Sequence, residues 1–479
     1  MHRRERSCDN EDDEGIRARS WVPYSRLSPV FWVTLTLTLI YGALAGARLK
    51  GPSADNHYAY LAQSWLHGQL HLSDPPPHKN DWASYEVLTI QSKAGSTEEL
   101  RGVRRGADFV TLKGEKRAYR DLKVERRERR YFVSFPPLPA VLMLPFVWVM
   151  GLKAPDTWLT LLFAVLNGAL CYRLVSELRR RGWLRGEQPR RELWLVSLMC
   201  LGSAHLWCAV LGQVWYTALI IGVSFHLLYL RATLDTSRPL RAGLYLGLAF
   251  STRPTLVLLS FIFYGQLLPT QGQRLSAQER LRRATLFSIP PLVIGLLLMW
   301  HNEARFGSLF EFGHSYLAGG QLKRISEYGL FHWVFLKKNL IAAFALLPLA
   351  HTQLPALTLS MHGMAIQASS PGLLWALRPG RAVGLEARTV SRLTSLSACL
   401  ILSLLLLYQN TGWVQFSWRF ILDLLPSLVL LIAVRVERVG FWFKLCVVWG
   451  VVVNLIGALS FGRHGGWFEY VDLPALLPH

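Results

Sequence analysis

Cross-linking and metal-binding groups are scarce in this sequence. Only six cysteines occur in 479 residues. Cys171, Cys200, Cys208, Cys399 and Cys446 lie within apolar runs and Cys8 stands in the N-terminal tail, so neither a disulfide framework nor a zinc motif is supported. Acidic residues are also few, 31 against 52 lysines and arginines, which leaves a net charge of +21. That excess is divided among short clusters and never collected into one patch, so no nucleic-acid partner is expected. Glycine-rich phosphate loops and nucleotide-sugar signatures are absent by inspection.

What is abundant is apolar surface, 51% of the residues. Apolar runs of membrane-spanning length recur at 29–47, 284–300, 392–408 and 416–434, against a requirement of about 20 residues for a spanning helix. The fold class that follows is all-α polytopic transmembrane. The first run ends in Ala45-Gly46-Ala47, which resembles a signal-peptidase site, but the run is longer than a signal core and reads as an uncleaved anchor.

Orientation follows from the basic clusters, because loops rich in Lys and Arg stay in the cytoplasm. The clusters are the N-terminal tail (Arg17, Arg19, Arg26), 179–191, 231–241, 274–283, 378–392 and 435–444. Placing all six inside requires an even number of spans between neighbours. The segment 136–152 therefore cannot count as a span. It is broken by Pro136, Pro137, Pro139 and Pro145, and its apolar part covers only about 22 Å as helix against a core of about 30 Å. It reads as an interfacial or re-entrant helix. About eleven spans remain, at 28–47, 156–178, 192–210, 214–231, 240–252, 254–269, 285–302, 362–378, 391–408, 417–434 and 440–461. The chain then divides into a cytoplasmic tail (1–27), a first span (28–47), an extracytoplasmic loop (48–155), spans (156–302), a second extracytoplasmic loop (303–361), spans (362–461) and an extracytoplasmic tail (462–479). The chain is expected to be integral to a membrane, with its N-terminus in the cytoplasm.

The first outer loop carries juxtamembrane helices and a small β insertion, with strands expected at 85–91, 108–113, 119–125 and 130–135. Its basic stretch 113–130 is interleaved with Glu115, Asp121, Glu125 and Glu128, which favours a solvated strand face over a dedicated anion site. Directly behind the first span, Tyr58, Leu61, Ala62, Trp65 and Leu66 recur at helical spacing. They define an amphipathic helix that ends at Gly68 and should lie flat on the outer leaflet. Asp55 opens it. A carboxylate there can serve as a general base for an acceptor hydroxyl, or simply as the helix N-cap.

Several stretches together resemble the GT-C class of membrane glycosyltransferases, in particular bacterial proteins of the dolichyl-phosphate-mannose mannosyltransferase type. Protein O-mannosyltransferases and the lipid A aminoarabinose transferase belong to the same class. The stretches are Asp55-Asn56-His57-Tyr58, Phe135-Pro136-Pro137-Leu138-Pro139, Ser251-Thr252-Arg253-Pro254, Ala304-Arg305-Phe306-Gly307 and Gln415-Phe416-Ser417-Trp418-Arg419. The resemblance implies a GT-C-like fold and an inverting transfer from a polyprenyl-phosphate-linked sugar at the outer face, with Asp55 as base. The acceptor this implies is an envelope glycan, lipid or protein. The lack of nucleotide-sugar signatures agrees with a lipid-phosphate donor. Many members carry a second acid beside the first, whereas here the neighbour is Asn56, which takes no proton and is a poorer metal ligand. That counts against a paired-carboxylate mechanism and against metal dependence, so no cofactor is expected, with a divalent metal as the alternative. His67, His71, Asp74, His78 and Asp81 lack regular metal-ligand spacing.

The departing lipid phosphate needs cations. Arg253, Arg305 and Arg419 are the candidates. Snorkelling is the alternative for Arg253, and an ion pair with Asp423 one turn on is the alternative for Arg419. Asn56, His57, Glu311 and His314 are candidate acceptor or accessory groups. Two other readings stay open: a carrier or flippase for lipid-linked sugars, and a GT-C-like but inactive scaffold.

Overall fold

A computed structural model describes residues 28–91, 96–186, 188, 190–269, 275–317, 320–353, 355–380, 382–463, 465–471 and 473. The predicted cytoplasmic tail 1–27 and Cys8 lie outside the described residues. In chain order the helices are α1 (Pro29–Ala45), α2 (His57–Leu66), α3 (Leu138–Met150), α4 (Asp156–Arg180), α5 (Arg191–Cys200), α6 (His205–Ala209), α7 (Val214–Ala232) and α8 (Pro239–Phe250). They continue with α9 (Ser260–Leu267), α10 (Ala277–Phe306), α11 (Gly320–Tyr328), α12 (Leu336–Phe344), α13 (Ile366–Ser369), α14 (Leu385–Leu406), α15 (Leu425–Arg435) and α16 (Phe441–Ser460).

Among the described residues six helices are long and apolar enough to cross a membrane: Pro29–Lys50, Asp156–Arg180, Val214–Ala232, Ala277–Phe306, Leu385–Leu406 and Phe441–Ser460. The chain is an integral membrane protein. On α10 the side chains of Leu292, Leu296, Leu297 and Trp300 are 59–65% exposed, and Trp442 and Trp449 on α16 are similarly bare. An apolar surface of that extent needs cover, and on helices of spanning length lipid supplies it. By contrast α7 is almost wholly enclosed and forms the axis of the bundle.

The other expected spans are shorter or broken. The run 192–210 stops at Cys200 and restarts at His205, with Gly202 and Ser203 in the gap. Segment 362–378 becomes α13 and a 3₁₀ turn, Pro371–Leu377, and 417–434 opens with a 3₁₀ turn, Arg419–Asp423, before Pro426 starts α15. Proline removes a helical N–H and clashes with the preceding turn, so apolar length alone overestimated helix length here. α3 has 13 residues and is too short to cross.

Between α2 and α3 lies a five-stranded antiparallel sheet, in the order β4-β3-β2-β1-β5, made of β1 (Trp82–Gln91), β2 (Thr97–Arg105), β3 (Asp108–Thr111), β4 (Lys116–Ala118) and β5 (Val124–Val133). β2 was not among the expected strands, and Tyr119–Asp121 is a 3₁₀ turn instead of a strand. Arg-rich β2 and β5 do not alternate cleanly between apolar and polar, which hides them from a period-two reading.

Contacts at the helix ends sort the loops. Arg181 pairs with Asp235, Arg283 bonds Thr236 at 2.8 Å, Arg191 reaches the carbonyl of Ala433 at 2.8 Å, and Gln188 accepts from the Val439 amide at 2.7 Å. Arg435 also donates to Ser391 at 2.9 Å, so the described parts of five basic clusters meet at one end of the bundle. The loop before α2, the sheet, and the 408–423 segment gather at the other. α4 connects the two ends, some 37 Å apart at 1.5 Å per residue.

Candidate active site

The site grows from the exit of α1. After the 3₁₀ turn Gly46–Lys50 the chain passes an extended Gly51 and turns at Ala54 and Asp55. Asp156, the first residue of α4, fixes this stretch by accepting from the Ser53 amide at 3.0 Å, from the Ser53 hydroxyl, and from the Gln213 amide at 2.8 Å. The last bond needs Gly212 in the left-handed region (φ +68°), since a Cβ there would sit 2.9 Å from the Asp156 carboxylate. The Asp55 carbonyl in turn accepts from the Val214 amide at 3.1 Å. Three chain segments are thereby locked around the Asp156 carboxylate.

The Asp55 carboxylate, held by this framework, is not a helix cap. The N-cap position of α2 belongs to Asn56, whose side chain makes no capping bond and instead donates to the Ala154 carbonyl at 3.0 Å. Asp55 faces the loop 78–81, with His78 Nε2 at 3.4 Å and Asn80 Nδ2 at 3.4 Å from Oδ1. Both contacts are long. Burial pushes its pKa above the ordinary carboxylate value, His78 and Asn80 offset part of the rise, and the nearby charges of Asp81 and Asp156 add to it. A carboxylate so placed is a better proton acceptor than a solvated one.

Asp81 is the second acid. It adopts φ +58°, and its two oxygens accept from Trp215 Nε1 at 2.9 Å and Gln321 Nε2 at 2.8 Å. α11, in the second predicted outer loop, is thus tied to the first. The isolated pairing of Ala83 with Leu317 and the bond from Tyr85 to the Arg305 carbonyl, 3.0 Å, reinforce that junction.

Beside Asp55 opens a cavity of about 680 Å³ whose wall includes Ser53, Ala54, Gln213, Trp215 and Tyr216. Arg48 and Arg463 line the same cavity. Arg48 donates to the Phe461 carbonyl at 3.0 Å through one terminal nitrogen, while the other, Nη1, is buried without a partner. Arg463 is exposed and reaches the Leu44 carbonyl. The chamber therefore presents two cations and an orphaned N–H donor group a few residues from a carboxylate.

The other sequence candidates divide. Arg419 stacks 5.3 Å above the Tyr216 ring, behind the cavity wall, and donates to the Val414 carbonyl at 3.0 Å, with its Nε unpartnered. It does not pair with Asp423, because residues 419–423 form a 3₁₀ turn with three residues per turn, which rotates position i+4 off the shared face. Asp423 pairs instead with Arg253, in a bidentate contact of 2.9 and 2.8 Å, and takes a further bond from Thr255 at 2.9 Å. Arg305 is buried and fully engaged with Val133, His301 and Asn302, so it joins the end of α10 to β5. Neither Arg253 nor Arg305 is free for a donor phosphate. Glu311 closes a turn on the amides of Gly313 and Ser315, and His314 is half-buried beside it with its pKa lowered by burial. His57 is enclosed, stacked 3.8 Å from Trp82, and burial pushes its pKa down to about 4. α2 consequently does not lie on lipid: His57 and Ser64, off its apolar stripe, are buried as well.

Asp156, Arg48 and Arg463 were missed by sequence reading. The signal for Asp156 was an acid opening a long apolar helix after Pro155. No comparable signal exists for Arg48 and Arg463, which meet across most of the chain. Among the described residues no group of three or more His, Cys, Asp or Glu converges as a metal site.

No protein-family model and no curated protein matches the sequence. Among solved structures the chain is similar to the crystal structure of an oligosaccharyltransferase from Archaeoglobus fulgidus tethered with an acceptor peptide containing the NVT sequon. The identity is 12% and the TM-score 0.43, over 90% of this chain and 55% of that one. This chain therefore spans only about half the length of that protein.

Proposed function

We propose that the protein is a membrane glycosyltransferase of the GT-C type, moving a sugar from a polyprenyl-phosphate-linked donor to an envelope acceptor on the extracytoplasmic side of a bacterial inner membrane. The observation that carries this reading is Asp55: a buried carboxylate with a raised pKa that does not cap its helix, next in the chain to Ala54 in the wall of a cavity also lined by Arg48 and Arg463. The order of motifs from Asp55 to Arg419 supports the same class. So does the position of the site, at the end of the bundle away from the basic clusters, which the positive-inside rule would place in the cytoplasm.

In this mechanism the acceptor hydroxyl oxygen attacks the anomeric carbon as its proton passes to the Asp55 carboxylate. The bond from that carbon to the phosphate oxygen breaks, and the electron pair leaves on the lipid phosphate, with inversion at the sugar. Arg48 and Arg463 balance the growing phosphate charge, with Arg419 behind them. Asp156 and Asn80 are positioning residues. Asp81 supplies a second carboxylate from another loop, in place of the missing neighbour at Asn56. The donor's lipid tail lies between helices at the membrane level.

The test is lipid mass spectrometry of membranes from cells with the wild-type protein, without it, or with Asp55→Asn. A polyprenyl-phosphate sugar that accumulates equally in the last two identifies the donor and makes Asp55 necessary for its consumption. Wild-type lipid composition and full transfer in Asp55→Asn would sink the assignment.

A further inference from the structure

A second cavity, of about 620 Å³, lies on the sheet, away from Asp55, and arginines dominate its polar wall: Arg104 and Arg105 at the end of β2, Arg127 and Arg129 on β5. One acid faces them. Glu86, in the middle of β1, has a side chain only 6% exposed, and both Arg127 and Arg129 direct a terminal nitrogen at the same oxygen, Oε1, the latter at 2.9 Å. Its other oxygen is buried and has no partner. The strand register explains the convergence, since Glu86 stands opposite Arg129 on one side and Gly102 on the other, which brings Arg104, two residues on, to the same face.

The charge is out of balance. Among the described residues neither Arg104 nor Arg105 pairs with a carboxylate; Arg104 rests 4.4 Å over the Tyr119 ring and touches the Gly106 carbonyl at 3.3 Å. Among the lining residues four guanidinium groups stand against one carboxylate; the next acid, Asp108, lies opposite Arg105 in the strand register but forms no ion pair with it. Each guanidinium has five N–H donors in a planar fork matched to oxyanions. Arg127 and Arg129 spend one nitrogen each on Glu86 and keep side chains about half exposed, 48% and 52%. A solvated strand face would scatter such charges among acids, as Arg117 does with Glu98 and Glu115 on the neighbouring hairpin.

We propose that this cavity is an oxyanion-binding site for a phosphate- or diphosphate-bearing ligand, with Glu86 setting the two arginines of β5 and Arg104 and Arg105 supplying the unneutralised charge. Ser315, Tyr316 and Leu317 form its other wall. They stand a few residues before α11, whose Gln321 donates to Asp81 at 2.8 Å. The site does not depend on the transfer chemistry, and its test reads binding alone.

The full-length protein is placed in nanodiscs of zwitterionic phosphatidylcholine and titrated with inorganic pyrophosphate by calorimetry. A second set of nanodiscs contains phosphatidylglycerol, to ask whether lipid headgroups occupy the same site and compete. Saturable binding that weakens with salt, and that falls by about tenfold or more in Arg104→Gln/Arg105→Gln, is the expected result. Arg120→Gln, which removes one charge from an exposed side chain outside the cavity, leaves binding unchanged. Asp55→Asn also leaves it unchanged, which separates this site from the catalytic reading. Weaker pyrophosphate binding in the phosphatidylglycerol discs, abolished in the double variant, identifies the headgroup as the ligand's source; no such competition points to a soluble phosphate. No saturable pyrophosphate binding, or an equal loss in Arg120→Gln, overturns the proposal.

Discussion

Replacing Asp423 by Asn tests the assignment of Arg253 to the scaffold. In the structure Asp423 is 1% exposed and accepts three hydrogen bonds, two from Arg253 and one from Thr255. Asparagine preserves the shape but removes the charge and one acceptor, which leaves a guanidinium of 20% exposure without its counterion. Breaking a buried pair from one side costs about 3–5 kcal/mol, and partial access to solvent places this case near the lower end. Against a total stability of about 5–15 kcal/mol that is a large fraction, so Asp423→Asn should lower both the apparent melting midpoint and the yield of folded protein. The double variant Arg253→Leu/Asp423→Leu removes both charges and should recover most of the loss, because the cost lies in the unpaired ion. The assay is thermal unfolding of detergent-solubilised protein, followed by size-exclusion chromatography of the soluble fraction. A wild-type midpoint for Asp423→Asn, together with a raised donor KM for Arg253→Leu, would refute this reasoning and return Arg253 to the donor site.

Three further outcomes are expected. Asp55→Asn should cut turnover by about 10²–10⁴-fold, the usual contribution of a general base, while the melting midpoint stays level or rises. The sign follows from its raised pKa: the folded state binds the proton more tightly than the unfolded one, so ionised Asp55 costs stability at neutral pH and the variant removes that cost. A marked fall in the midpoint would make Asp55 structural. The acidic limb of the pH–rate profile should lie above the ordinary Asp value of about 3.9, since the base must be ionised to work. His78→Gln removes a charge that opposes the rise and should move that limb to still higher pH; a stationary limb would dissociate His78 from the base. Arg463→Gln should raise donor KM by about tenfold or more, the value of a charge-assisted hydrogen bond, with little change in melting because the side chain is exposed. An unchanged KM would remove Arg463 from the phosphate site.

Asp55 was legible because a polar residue between a spanning run and an amphipathic helix is conspicuous in a linear reading. Whether it caps the helix or stays free was not. That was decided by His78 and Asn80, delivered from more than twenty residues away by a loop after three prolines. The arginines show the same division. Arg253, Arg305 and Arg419 stood out as cations near the ends of apolar runs, but two of them are consumed by partners the sequence did not point to: Asp423 lies 170 residues from Arg253, and the Val133 carbonyl 172 from Arg305.

The sequence by itself determined the membrane character of this protein, the grouping of its basic loops and the helix behind the first span. Those properties depend on local hydrophobic periodicity and on the cost of moving charge out of water, which operate within one turn or one apolar run. Only the tertiary structure decided which spans stay unbroken, which carboxylate meets which cation, and where the cavities open. Ion pairs and buried hydrogen bonds form between whatever groups the packed helices bring within about 3 Å, and in this bundle those groups are often separated by more than a hundred residues, as Arg48 and the Phe461 carbonyl are by 413.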